Sequence, residues 1–232
     1  MTQRTSVAQR TLVAQQPTYL PYLGLLHKIA RSDVFIVQDD LRYVKDSVSN
    51  RNRIRDGDGW KWLTIPVHRD NSSTFATVTP ADDTWVRTHR RLLDNAYARA
   101  PHVDRFAELH ELNQANRSEP LAVINLATIE WMLRLFEIDA EVVVESDLAL
   151  PEFDNPNDRL ISLSAHYACH RYLSGVGGHA YIELERWSCS PVQLDWSDFE
   201  PTPYPRGPLP WIPNLSAVDA IAWVDDLPGL LR

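Results

Sequence analysis

A chain of 232 residues with 31 acidic against 23 basic side chains carries a net charge of −8, which argues against duplex DNA or an anionic membrane surface as a general partner. Its length buries a sizeable core, and one α/β domain spanning residues 1–232 accounts for it. Two cysteines, Cys169 and Cys189, with no CxxC and no His/Cys ligand spacing, indicate neither a disulfide framework nor a structural zinc site.

The leading residues Met1 to Ser6 lack an apolar core and no run approaches membrane length, so a cytoplasmic location without membrane insertion is expected. Thr11-Leu12-Val13-Ala14 and Val34-Phe35-Ile36-Val37 are short continuous apolar runs, the pattern of strands buried on both faces of a parallel sheet. The segment between them is long enough for a crossover helix, which makes a βαβ unit. Its strands end in Gln15-Gln16 and Gln38-Asp39-Asp40, placing polar side chains at the carboxyl edge, where open α/β sheets hold ligands.

Residues 42–55 set Arg42, Lys45, Arg51, Arg53 and Arg55 against Asp46, five positive charges less one negative, a net of +4. This run reads either as a solvated loop face or as an anion site beside Asp39-Asp40. Asp56-Gly57-Asp58-Gly59 is a turn signal, and Trp60 to Val67 reads as a third strand ended by Pro66. A helical insertion occupies about 84–136, in three segments at about 84–98, 103–114 and 121–136. The third is apolar on nearly every side and should be a central buried helix. Glu141 to Glu145 is a further buried strand, Asn155-Pro156 opens a helix, and Arg171 to Gly175 is a short strand running into a three-glycine loop. The segment 201–213, with six prolines in thirteen residues, should wrap the surface as extended chain. Ser216 then caps a last helix through Trp223. The fold class is α/β: a mostly parallel open sheet, Rossmann-like and doubly wound, with a helical insertion.

Several residues could carry chemistry. In Ser174-Gly175-Val176-Gly177-Gly178-His179 the glycines permit positive φ and close backbone approach, so Ser174, Gly175 and Gly177 are candidate substrate contacts; a tight strand-to-helix turn is the plainer alternative. His179 is a candidate base or oxyanion donor, or a structural side chain. Asp40, beside Asp39, is the candidate catalytic carboxylate, unless one of the two caps a turn while the other pairs with Arg51 or Arg53. Gln16 and Tyr19 suit hydrogen bonding and stacking on a small ligand, Lys45 and Arg53 suit a phosphate or carboxylate, and Asn50 reads as a ligand contact or a turn former. No metal site is indicated.

The order Q-P-T-Y-L-P-Y-L-G, S-D-V-F-I-V-Q-D-D, N-R-N-R-I, W-L-T-I-P-V and Y-L-S-G-V-G-G-H-A-Y resembles the WbqC-like family, from about Leu12 to at least Tyr181. The resemblance implies a transferase in bacterial O-antigen or natural-product biosynthesis, moving a glycine or another acyl or aminoacyl unit onto a sugar or small metabolite. Two positions depart from the family pattern: Gln15 stands where a His is usual, and the later Y-x-Q motif reads Tyr204-Pro205-Arg206. The implied partners are a small-molecule acceptor and an activated donor, which a tRNA or carrier could present. No cofactor is certain; a nucleotide with magnesium belongs to the alternative of a ligase or nucleotidyltransferase. A non-catalytic module holding a tRNA- or carrier-bound intermediate is the third reading.

Overall fold

The computed structural model describes residues 10–70 and 72–232, so the reading of Met1 to Ser6 lies outside the described residues. β1 (Thr11–Gln15) and β2 (Val34–Val37) pair in parallel on either side of helix α1 (Leu23–Ala30) in sequence, with Leu12 opposite Val34 and Gln15 opposite Val37. Residues 38–140 then leave the sheet. They form an antiparallel hairpin of β3 (Arg51–Asp56) and β4 (Gly59–Thr64), a second short pair of β5 (Val67–His68) and β6 (Thr79–Pro80), and helices α2 (Thr84–Ala96), α3 (Phe106–Ala115) and α4 (Leu121–Leu135). β7 (Glu141–Val144) returns beside β2, followed by α5 (Pro156–His166), β8 (Arg171–Ser174), α6 (Leu184–Ser188), β9 (Gln193–Trp196) and α7 (Val218–Trp223).

The sheet runs β7-β2-β1-β8-β9, all parallel, and its strand order reverses at β1. Both faces are covered, as the continuous apolar runs require. On one face Val13, Phe35 and Leu173 join a core with Leu26 and Ile29 of α1 and with α4. On the other, Leu12, Ala14, Val34 and Ile36 pack with Leu160 and Leu163 of α5 and Trp187 of α6. α4 is the central buried helix that its all-round apolar sequence predicts, with Ile124, Ile129 and Trp131 inaccessible.

Two readings need correction. The Trp60 to Val67 strand does not join the sheet: Gly59–Thr64 pairs antiparallel with Arg51–Asp56, a segment taken for a basic loop. Gly57 closes that hairpin at φ 56°, a left-handed conformation that glycine adopts without a Cβ penalty. β3 turns Asn52 and Ile54 inward and also buries Arg55, and Asn50 just before it is buried too, so amides and an arginine at buried positions disguise the period. Those amides act as clamps. Asn52 Nδ2 donates to the carbonyls of Tyr19 and Leu20 at 3.1 and 2.9 Å, Asn52 Oδ1 accepts from Arg53 N, and Asn50 Nδ2 donates to Ile65 O at 2.9 Å. Leu20 sits at φ 43°, a position sterically costly for a side chain, and the Asn52 clamp holds it there.

The proline-rich segment does run along the surface, nailed down at two buried side chains, Tyr204 and Arg206. Tyr204 Oη donates to Asp219 Oδ2 at 2.7 Å, and Arg55 and Arg206 both donate to Pro210 O. Asp219 in turn pairs with Arg55 at 3.5 Å, with both side chains essentially removed from water. Removing one partner of such a pair strands a buried charge. Asp219→Leu should therefore cost roughly 3–5 kcal/mol and Tyr204→Phe about 1 kcal/mol, whereas Arg55→Met combined with Asp219→Leu should cost less than the sum of the single changes. Urea unfolding of the four variants measures this, and simple additivity would contradict it.

Candidate functional site

Because strand order reverses at β1, the chain departs in opposite directions from the ends of β1 and β8, and a cavity of about 460 Å³ opens at the carboxyl edge. Gln15 and Gln16 reach it from β1 and Gln38 from the end of β2. Tyr172 and Ser174 line it from β8, and Arg159 and Leu160 from α5. Gly175, Gly177 and Gly178 complete the wall. Parallel pairing of β2 and β8 with the two sides of β1 brings Gln38 and the glycine loop to one crevice, while Asp39 and Asp40 at the same strand end do not line it.

The group with the most unusual environment is Lys28. Its side chain hangs from α1, is 4% exposed, and donates from Nζ to Gln15 Oε1 at 2.9 Å. The loop crosses directly in front of it, since a Cβ added to Gly175 would stand 3.5 Å from Nζ. Burial without a neighbouring carboxylate disfavours the ammonium, and the amine's pKa falls from 10.5 to about 8. Sequence reasoning missed this residue. Its available signal was helical spacing: Lys28 lies three positions after Leu25 on the stripe that Leu25 and Ile29 bury.

The carboxylates have separate duties. Asp39 is buried and accepts from Ser146 N at 3.0 Å and Ser146 Oγ at 2.7 Å, tying the end of β2 to the turn after β7. Asp40 is exposed and pairs with Arg159, which also pairs with the buried Glu145. The expected partners Arg51 and Arg53 are elsewhere: Arg51 pairs with Asp46 and lies over Trp62, and Arg53 donates to Asn214 O and lies over Trp60.

The glycine loop forms a short 3-10 turn at Val176–Ala180. None of its glycines needs positive φ, contrary to the sequence reading; that conformation belongs to Gly57 and Gly207. Gly177 faces open space, but a Cβ on Gly178 would meet Ser174 Oγ at 2.1 Å and Ile182 Cδ1 at 2.9 Å. His179 turns away from the cavity and stacks on Trp196, ring centroids 3.7 Å apart.

Of the other candidates, Tyr19 is a core residue. His89 Nε2 lies 2.9 Å from Thr64 O, which can only accept, so Nε2 carries the proton and Tyr19 Oη donates to His89 Nδ1 at 2.9 Å. Burial lowers the His89 pKa to about 4 and keeps the ring neutral. Asn50 is a clamp of the hairpin, and Lys45 and Arg53 lie outside the cavity wall. Among the described residues no three His, Cys, Asp or Glu side chains gather as a metal would require.

Two outcomes follow for the cavity wall. Since the folded-state pKa of Lys28 lies below its ordinary value, the unfolded chain binds the extra proton between pH 8 and 10.5, and stability rises with pH across that window. Lys28→Met should be the more stable protein at pH 7, by roughly 3 kcal/mol at most, with the advantage closing toward pH 10.5. Denaturation at a series of pH values tests this, and a gap that does not change with pH would contradict it. Gly178→Ala should lose about 1–3 kcal/mol through overpacking while Gly177→Ala stays near neutral; equal thermal midpoints would refute the contact assignment.

Residues 16–226 match the sequence model of the WbqC-like protein family. The Uncharacterized protein Rv1507c of Mycobacterium tuberculosis (strain ATCC 25618 / H37Rv) is 27% identical over 189 residues, covering 80% of this chain and 80% of that protein. With the family match extending over most of the chain, from the glutamine at the end of β1 past the last helix, this protein belongs to the WbqC-like protein family.

Proposed function

We propose that this protein is a transferase that moves an acyl or aminoacyl unit from an activated donor to a small acceptor, in glycan or secondary-metabolite biosynthesis. The observation that carries the reading is Lys28, a buried amine at the cavity wall whose pKa of about 8 leaves roughly a tenth of it neutral at pH 7, far more than an ordinary lysine. Neutral Lys28 takes the proton from the acceptor hydroxyl or amine as that heteroatom bonds to the acyl carbon. The bond from the acyl carbon to the leaving group breaks with its electron pair going to the leaving group, and the Lys28 ammonium returns the proton there.

The remaining groups suit binding. Arg159 offers a charge-assisted contact for a phosphate or carboxylate on the donor. Gln16, Gln38 and the hydrogen-bonded phenols of Tyr172 and Tyr181 offer neutral contacts for a polar acceptor. In this scheme the buried Glu145 orients Arg159, Asp40 occupies its exposed side, and His179 braces the loop through its stack on Trp196.

The test is transfer from a panel of acyl thioesters and aminoacyl phosphates to amino sugars, followed by mass spectrometry. The rate should rise with pH along a limb whose midpoint lies at about pH 8, levelling off above it. Lys28→Met should lose about 10²-fold or more of that rate with the fold intact, and Arg159→Ala should raise KM. Full activity in Lys28→Met, or an unchanged pH limb, would overturn the assignment.

A further inference from the structure

Lys28 borders a second chamber, of about 300 Å³, and four residues, Gln15, Lys28, Gly175 and Gly177, line both spaces. On either side of this partition the chemistry differs. The first chamber presents the charged Arg159 with Gln16 and Gln38, beside Leu41 and Leu160, whereas the second has no charged side chain apart from the shared Lys28 and is lined by Tyr22, Leu25, Val48, Val176 and Phe199 with the small hydroxyls of Thr18 and Ser197. Its two aromatic rings are held in place. A Cβ on Gly24 would fall 2.4 Å from the Tyr22 ring, so the glycine makes room for that ring against the first turn of α1. Phe199, arriving from beyond β9, packs on His27 with ring centroids 4.7 Å apart. Tyr22, Val48 and Val176 are all substantially exposed, as the wall of an open binding site would be.

We propose that the second chamber is a subsite for the uncharged apolar acyl or aryl portion of one substrate. The reacting carbonyl then lies at the Gln15–Lys28 partition, and the polar or anionic remainder, or the second substrate, occupies the first chamber. The catalytic meaning of this arrangement rests on the group-transfer reading above; the binding claim does not. It makes Tyr22, Val48, Val176 and Phe199 the residues that select the acyl group.

The test uses two probes with the full chain: hexanamide, an uncharged acyl amide, titrated by saturation-transfer NMR, and inorganic phosphate, followed by ³¹P line broadening. Val176 lines only the second chamber, so Val176→Trp should weaken hexanamide at least tenfold and leave phosphate binding unchanged; Tyr22→Ala should act in the same direction. Arg159→Ala should weaken phosphate alone. No saturation transfer to hexanamide in the wild-type protein, or affinity indifferent to both Val176→Trp and Tyr22→Ala, would overturn the subsite. Hexanamide binding that obeys these variants in a protein without transfer activity would keep the subsite and remove the group-transfer reading. Transfer with hexanamide insensitive to them would do the reverse.

Discussion

The arrangement depends on β1 being paired in parallel on both sides. A strand in that position has no free edge and two buried faces, so from Leu12 to Ala14 its side chains are apolar, and polar side chains return at its carboxyl end as Gln15 and Gln16. The elements flanking it must take opposite faces: α1 packs with Val13 on one, α5 with Leu12 and Ala14 on the other. The crevice between their exits is thus a consequence of topology. Lys28 is brought to it by α1, near the start of the chain, and Arg159 and Ser174 by the consecutive α5 and β8 of its second half, all fixed against one strand.

Placing an amine there runs against stability. A lysine with no carboxylate beside it loses hydration and recovers only the bond to Gln15, and this is the physical meaning of its lowered pKa. The family resemblance puts a His where this chain has Gln15. An amide oxygen accepts from the lysine without itself titrating, so of the Gln15–Lys28 pair only the amine changes charge with pH.

Much of the fold was legible because continuous apolar runs have few alternatives. Val34–Val37, Glu141–Val144 and Arg171–Ser174 are strands where the pattern put them, and Asn155 accepts from Asn157 N at the start of α5, as a helix N-cap should. β3 escaped because Asn52 and Arg55 are buried in it, with Asn50 buried just before it. Binary patterning assumes that buried means apolar, and here buried amides satisfy backbone carbonyls of a strained loop. Gln16, Ser174 and the glycines line the cavity because of their proximity at the sheet edge, whereas Lys28 and Arg159 are brought there by helical phase and tertiary packing.

Charge counting misled for a related reason. The basic run of 42–55 looks like an anion site, yet Arg55 is buried against Asp219 and Arg51 and Arg53 lie over tryptophans, so its charge serves the hairpin. The cation that faces the cavity comes from a helix start among carboxylates. Arg159 already holds Glu145, 1% exposed, and Asp40, 46% exposed. The two acidic partners are therefore unequal: the buried Glu145 fixes the guanidinium, whereas the pair with Asp40 is open to water and contributes little.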